Sequence, residues 1–169
     1  VWDDRYNSTE KERVGKNIFS VSRIKEELDD TFNNENIFSK ESKAYIVPSY
    51  FCSGSRVGTD PIDGSKECTT VTEKMPLGLL ADYEYDIASL DVGCKSSLNP
   101  ECSNYNYLAS VSNYWSMTAY SGSTYQAYNI SGHVKKTNMT AKVGVVINLT
   151  SSTLLDSGIG SFKDPYVIK

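Results

Sequence analysis

The sequence predicts an α+β fold, with helices in its first half and an antiparallel sheet in its second. Two kinds of periodicity carry this prediction. Four apolar residues recur at helical spacing: Val21, Ile24, Leu28 and Phe32. Between Tyr114 and Tyr120, apolar and polar residues alternate with the period of a strand. The 169 residues fit one domain, and we find no repeat or linker that would divide residues 1–169.

The helices can be placed from their capping residues. Ser20 or Ser22 can cap the first helix, and Asn33-Asn34 ends it. A second, shorter helix is predicted around Ser39 to Tyr45, and Pro48 prevents it from continuing.

A third helix is predicted to follow a short apolar strand that begins at Met75. Asp82 is suited to cap this helix, and Gly93 to end it. Its apolar face would consist of Tyr83, Ile87 and Leu90. A further short strand is predicted at Val1 to Tyr6, and we expect the apolar end Tyr166 to Ile168 to pair beside it.

The second half is predicted to form an antiparallel meander. Its strands would be residues 114–120, 124–130, a strand from 134, and 142–149, separated by turns at Ser121-Gly122 and Ser131-Gly132. In the first strand, Trp115, Met117 and Ala119 would point inward. In the last strand the inward residues would be Val143, Val145, Ile147 and Leu149.

The four cysteines form two pairs that are local in sequence: Cys52 with Cys68, and Cys94 with Cys102. Three pairings are possible, and the local one costs least to close. A disulfide would also order residues 52–74, which otherwise read as a long loop. Disulfides indicate an oxidising compartment. A metal site would need Cys-x-x-Cys or a second histidine, so we predict no metal.

The charge balance narrows the range of partners. Seventeen basic and twenty-one acidic residues give a net charge of -4, and no dense basic patch is present, so nucleic acid is not an expected partner. No apolar run is long enough to span a bilayer. The start at Val1 predicts a processed or truncated N-terminus, so membrane attachment is expected only through an upstream anchor.

Six of the twelve tyrosines lie between Tyr105 and Tyr128, among Ser, Thr, Asn and Gly. This composition is typical of binding surfaces, since tyrosine offers a large, stiff and amphipathic contact. We therefore predict a ligand-binding face on the late sheet, opposite Trp115. Its candidate residues are Tyr105, Tyr107, Tyr114, Ser116, Thr118, Tyr120, Tyr125, Tyr128, Asn129 and His133.

No motif predicts catalysis. A serine hydrolase needs a nucleophile elbow, and Gly-x-Ser-x-Gly does not occur. Ser22-Arg-Ile-Lys25 matches Ser-x-x-Lys, but the companion motifs of penicillin-recognising enzymes are missing. Calcium-dependent sugar binding needs clustered carboxylate and amide oxygens, which are also not found. We expect a protein without enzyme activity, cofactor or metal.

Six motifs follow one another along the chain: Phe19-Ser-Val-Ser-Arg-Ile-Lys-Glu-Glu-Leu, Tyr45-Ile-Val-Pro, Leu77-Gly-Leu-Leu, Tyr114-Trp-Ser-Met-Thr-Ala-Tyr, Gly144-Val-Val-Ile-Asn-Leu and Asp164-Pro-Tyr-Val-Ile. In these motifs and in their order, the chain resembles, over nearly its whole length, a family of uncharacterised surface proteins of Firmicutes and Mollicutes. Two departures are the missing Arg-Pro after Gly144-Val145 and Ala119 in place of proline.

The resemblance implies a C-type-lectin-like fold, with two main helices on a twisted antiparallel sheet and paired termini. It also implies display outside the cell or on its surface. Pilin-tip proteins and the variable proteins of diversity-generating retroelements are similar in fold, and the latter bind through a Tyr/Asn/Ser-rich surface. This is a likeness of fold only.

We therefore expect an extracellular, adhesin-like domain that binds a protein or a glycan. One alternative is an assembly module, such as the globular head of a pilin or surface-fibre subunit. Another is a degenerate enzyme on the formylglycine-generating scaffold, which is disfavoured because that chemistry needs free cysteines.

Overall fold

The computed structural model describes residues 1–5, 15–88, 113–130, 133–159 and 164–169, and it has a mixed α+β architecture. The helices in these ranges are α1 (Arg23–Asn33), α2 (Lys40–Lys43) and α3 (Asp82–Ile87). Short 3₁₀ turns occupy Phe19–Val21 and Glu67–Thr69. None of the described helices is long and apolar enough to cross a membrane.

The largest sheet has four strands: β1 (Ser55–Arg56), β3 (Trp115–Tyr120), β4 (Gln126–Asn129) and β5 (His133–Lys136). Their spatial order is β1-β3-β4-β5. The antiparallel meander predicted from β3 to β5 is confirmed. β1 was expected to be part of a loop, but it pairs parallel to β3, which makes the sheet mixed.

Two smaller sheets complete the strand pairing. β2 (Gly78–Leu79) pairs antiparallel with β6 (Val145–Val146), and β7 (Leu155–Ser157) pairs antiparallel with β8 (Val167–Ile168). Only glycine fits at position 78, because a Cβ there would overlap the ring of Phe51.

The core lies between the inner face of β3 and the helical first half of the chain. Trp115 and Met117 are buried there, and Trp2 packs edge-to-face on Trp115 with ring centroids 5.9 Å apart. Ile24 and Leu28 of α1 join the same cluster. The inward parity predicted for β3 is therefore confirmed.

The boundaries of α1 follow from its sequence signals. The Ser22 hydroxyl accepts a hydrogen bond from the Lys25 amide at 3.3 Å, which satisfies one of the free amides of the first turn. Ser39 caps α2 in the same way through the Ser42 amide. The first two predicted helices are thus present, although α2 is only four residues long.

The predicted apolar face of α3 was correct for Tyr83, which packs against the core, but wrong for Ile87. Ala81, not Asp82, holds the N-cap position, and its amide donates to the Glu84 carboxylate at 2.7 Å. Asp82 is instead the first helical residue, and its carboxylate lies in the interior. Tyr85 and Asp86 are buried while Ile87 is exposed. Leu90 and Gly93 lie outside the described residues.

The predicted pairing of the termini was also wrong. Residues 1–5 form no strand. The amides of Trp2 and Asp3 both donate to the Thr137 carbonyl at 2.9 Å. At the other end, β8 pairs with β7 rather than with the N-terminal segment, because a nearby strand in sequence is easier to reach.

The predicted inward face of residues 142–149 is exposed. Each of its four residues leaves 37 to 43% of its surface accessible: Val143, Val145, Ile147 and Leu149. The segment is extended, and it bridges in turn to Tyr114, β2 and Ile46. Apolar residues do recur at every second position of this segment, but no described residue buries the face that they form. We call these four residues the apolar stripe.

Candidate functional site

The disulfide predicted between Cys52 and Cys68 is present, whereas Cys94 and Cys102 lie outside the described residues. It closes the loop that carries β1 and places residue 67 beside the sheet. The Gly54 amide donates to the Glu67 carbonyl at 2.7 Å. A Cβ on Gly54 would lie 2.6 Å from that oxygen, so only glycine permits this approach.

A buried group of charged side chains joins this loop to α3. The Arg56 guanidinium hydrogen-bonds to the Asp82 carboxylate and lies 3.4 Å from Asp86 Oδ2. Its Nε lies 2.8 Å from Glu67 Oε1. Arg56 also covers the Tyr128 ring, with 4.8 Å from its guanidinium carbon to the ring centroid. We call Arg56, Glu67, Asp82 and Asp86 the Arg56 cluster.

The Arg56 cluster contains more potential negative charge than positive charge, since one guanidinium faces three carboxyl groups. Burial, followed by the neighbouring Asp86 carboxylate, raises the pKa of Asp82 to about 7, and Arg56 only partly opposes this shift. Burial likewise raises the pKa of Glu67. Arg56 thus offsets part of this charge, and burial favours the protonated forms of Asp82 and Glu67.

The Arg56 cluster is a structural centre and not an accessible catalytic site. None of its four residues exposes more than 4% of its surface, so a substrate cannot reach the carboxyl groups. Its role is to connect β1, the disulfide loop, α3 and the ring of Tyr128. No local pattern of residues predicted the Arg56 cluster, because Arg56 and Asp82 are 26 residues apart.

Four residues of the predicted ligand-binding face are buried, which corrects that prediction: Ser116, Thr118, Tyr128 and Asn129. The Ser116 hydroxyl donates to the Tyr128 carbonyl at 3.0 Å, and the Thr118 hydroxyl accepts from the Asp82 amide at 2.9 Å. The cause is that α3 and the Arg56 cluster cover the second face of the sheet. Both faces of β3 are therefore interior.

The other predicted site residues are distributed over several places. Tyr114 is half-buried beside Gly144 and Lys142. Tyr120 is half-buried, with its ring edge-to-face on that of Tyr128 at 5.9 Å. Tyr125 is half-buried and His133 is exposed. Tyr105 and Tyr107 lie outside the described residues. The predicted residues that the structure describes thus do not form one exposed face.

The described surface has an open groove of about 620 Å³ between the 17–20 segment, β1 and residues 69–75. Six of its lining residues carry hydroxyl groups: Ser20, Ser53, Ser55, Thr69, Thr70 and Thr72. Buried Phe19, Met75 and Ala119 line it as well. The groove is of the size that small-molecule sites occupy, about 300 to 1,000 Å³.

Asn17 connects this groove to the turn after β3. It lines the groove, and its side-chain amide donates to the carbonyls of Tyr120, Ser123 and Gln126 at 2.6 to 3.0 Å. The groove therefore adjoins the turn that carries Tyr120 and Tyr125. Our sequence analysis missed the groove, although the Thr69-Thr70-Val71-Thr72 run was a visible signal for a hydroxyl-rich wall.

Within the described ranges, no group of three or more His, Cys, Asp or Glu side chains is arranged to hold a metal ion. The three carboxyl groups of the Arg56 cluster surround a guanidinium, which occupies the position that a cation would take.

Comparison of the chain with protein-family models, curated proteins and solved structures gave no match. The family resemblance and the C-type-lectin-like fold therefore remain predictions, and function has to be argued from the groove and the surfaces around it.

Asp82→Asn is expected to flatten the pH dependence of stability. Because the pKa of Asp82 is raised in the folded state from 3.8 to about 7, its contribution is fully present below about pH 4 and is lost as the pH rises to about 7. Urea unfolding across this window should show wild-type stability falling more steeply than that of Asp82→Asn. One pKa unit corresponds to about 1.4 kcal/mol.

The matched control is Asp30→Asn, at an exposed position of α1, which should keep the wild-type slope. Equal slopes for Asp82→Asn and wild type would show that Asp82 titrates as it does in the unfolded chain.

Proposed function

We propose that this chain is a non-catalytic, extracellular ligand-recognition domain of the C-type-lectin-like type, with an adhesin-like role. The observation that carries the proposal is the open groove beside the disulfide loop. Concave sites with a few positioned polar groups are where ligands bind. The surface of this site differs from the tyrosine face predicted from the sequence. Among the described residues of that face, Tyr120 and Tyr125 lie near the groove, because Asn17 bonds to the turn that carries them.

Three further features support this proposal. The Cys52–Cys68 disulfide fits an oxidising compartment. The groove wall is held by that disulfide and by the Arg56 cluster, and rigid walls reduce the entropic cost of binding. The order of two early helices, a disulfide-closed loop and a late meander agrees with a C-type-lectin-like arrangement, while the unpaired termini depart from it.

The non-catalytic part of the proposal rests on accessibility. The titratable groups with the strongest mutual interaction are those of the Arg56 cluster, and they are buried. Lys25 and Glu73 are the charged residues that line the groove, and their side chains form an ion pair at 3.7 Å. A paired lysine on a surface groove is not arranged as a nucleophile or general base.

The apolar stripe favours a second candidate function, an assembly role as a pilin or surface-fibre subunit. β7 and β8, which come after the stripe along the chain, are also exposed, including Leu155 and Val167. An isolated two-stranded hairpin is only marginally stable in water, and exposed apolar patches mark protein interfaces. A contact between subunits would bury both the apolar stripe and the hairpin of β7 and β8.

Ser55→Trp is the direct test of groove recognition. Ser55 is exposed on β1 and lines the groove, so an indole there fills the space a ligand needs. We expect the labelled wild-type domain to bind saturably to an array of extracellular proteins and glycans, and Ser55→Trp to lower binding at least about tenfold, or about 1.4 kcal/mol. Ser151→Trp, at an exposed turn, is the control and should bind like wild type. Absence of wild-type binding, or equal binding by both variants, would contradict groove recognition.

The assembly role is tested by sedimentation velocity over a range of protein concentrations. If the apolar stripe is a self-contact, the wild-type domain should associate as concentration rises, and Val145→Glu should reduce this association by removing apolar contact. Thr140→Glu, at an exposed loop position, is the matched control. A wild-type monomer at every concentration would exclude self-assembly through this surface.

A further inference from the structure

We propose that the groove binds a neutral oligosaccharide, with ligand hydroxyls bonded to the serine and threonine side chains of its walls. This inference rests on the proposed recognition function, since it names the chemical class of the ligand at that same groove. It follows from the hydrogen-bonding capacity, the charge and the backbone pairing of the groove walls.

The walls of the groove can both donate and accept hydrogen bonds through their hydroxyl groups. A hydroxyl group both donates and accepts, so a wall of hydroxyls suits a ligand whose own groups do the same at every position. Among the described residues, the hydroxyls of Ser20, Ser55 and Thr70 have no hydrogen-bond partner, and all three residues are exposed. These three groups are available to a ligand.

The remaining hydroxyls of the groove hold its shape. The Thr69 hydroxyl donates to the Lys66 carbonyl at 2.7 Å, and the Thr72 hydroxyl accepts from the Phe51 amide at 3.1 Å. The wall at residues 69–72 is therefore fixed by bonds of its own before any ligand arrives. A wall that is already ordered lowers the entropic cost of binding, and a polar ligand that binds weakly cannot easily offset a large cost.

The charged residues of the groove lining, Lys25 and Glu73, are paired with each other. Lys25 is paired with both Asp29 at 2.5 Å and Glu73 at 3.7 Å, so its ammonium group is already neutralised. Phosphate, sulfate and carboxylate ligands are usually held by unpaired arginine or lysine. The charged lining residues offer no such excess of either sign, which favours a neutral ligand.

The backbone pairing of the groove wall favours a glycan over an extended peptide. A peptide that binds by adding a strand needs free backbone groups at a sheet edge. Here the Ser53 amide donates to the Thr70 carbonyl and the Gly54 amide to the Glu67 carbonyl. Backbone groups of this wall are therefore engaged within the domain. The lining also contains no Trp, Tyr or Arg, the residues that most often anchor protein partners.

The apolar part of the groove fits the same ligand. Val71, which is 51% exposed, gives the groove an apolar surface beside its hydroxyl groups, and the buried Phe19, Met75 and Ala119 add small exposed areas to it. A sugar ring presents C–H groups on its faces and hydroxyls around its edge, so its faces can lie on this surface while its edge reaches Ser55 and Thr70. Such mixed contact is the pattern expected of a mostly uncharged, amphipathic ligand.

The experiment is an array of neutral glycans beside sialylated glycans, sulfated glycans and extracellular proteins, probed with the wild-type domain and with Ser55→Trp. We expect the wild-type domain to bind to neutral glycans, and we expect Ser55→Trp to abolish this binding. For the strongest neutral glycan, calorimetry should show Ser20→Ala, Ser55→Ala and Thr70→Val each weakening binding roughly two- to tenfold. Ser151→Ala should have no effect. Raising salt from about 50 to about 500 mM should change the affinity less than about twofold, since no ion pair is involved.

The outcomes separate the two levels of the proposal. Binding only to arrayed proteins or only to charged glycans, lost in Ser55→Trp, overturns the neutral-glycan assignment and leaves groove recognition standing. Neutral-glycan binding that the three hydroxyl variants do not weaken overturns the role of these side chains. No binding to any arrayed molecule overturns the recognition function together with the ligand class. Because the three positions are exposed, thermal unfolding of each variant should match wild type, which confirms that a loss of binding is not a loss of folding.

Discussion

The ion pairs of Arg56 are the interaction on which the rest of the described structure depends. A buried guanidinium is costly to remove from water unless carboxylates surround it, and here they come from the disulfide loop and from α3. The same side chain covers the ring of Tyr128. One residue of β1 thereby fixes the positions of three other parts of the chain.

This arrangement determines which surfaces are free to bind. With α3 and the Arg56 cluster over the second face of β3, Ser116 and Thr118 become interior residues. At the other side of β1, the backbone contact between Gly54 and Glu67 holds residues 67–70 against the sheet. The groove lies along that wall. The position of Arg56 on β1 thus accounts for two features. Charge is buried on one side of β1, and an open, neutral groove lies on the other.

Local signals in the sequence predicted the local structure well. The serine caps of α1 and α2, the period-two alternation of β3 and the spacing of Cys52 and Cys68 act within a few turns or one loop, and the structure agrees with each. Strand parity also identified Trp115 and Met117 as interior. Strand parity alone, however, indicates only that one face of β3 is apolar and the other is polar. It does not reveal that a second layer covers the polar face.

The errors arose where distant residues decide the outcome. The sequence position of Asp82 is typical of a helix cap, but in the fold its carboxylate pairs with Arg56. The alternation of the apolar stripe looks like a buried strand, yet no described element covers it. The groove depends on Asn17, β1 and residues 69–75 meeting in space, and no spacing rule connects them. Composition drew attention to the tyrosines of residues 105–128, but the open groove is lined by other residues.

A double-mutant cycle between Arg56 and Glu67 tests most directly whether Arg56 ties the disulfide loop to the sheet. Unfolding free energies would be measured in urea for wild type, Arg56→Met, Glu67→Gln and the double variant. The account predicts that each single change is strongly destabilising and that the two are coupled by more than about 1 kcal/mol. The reason is that each single change leaves the charge or the hydrogen-bonding groups of the remaining side chain buried without a partner. Effects that add within about 0.5 kcal/mol would contradict it.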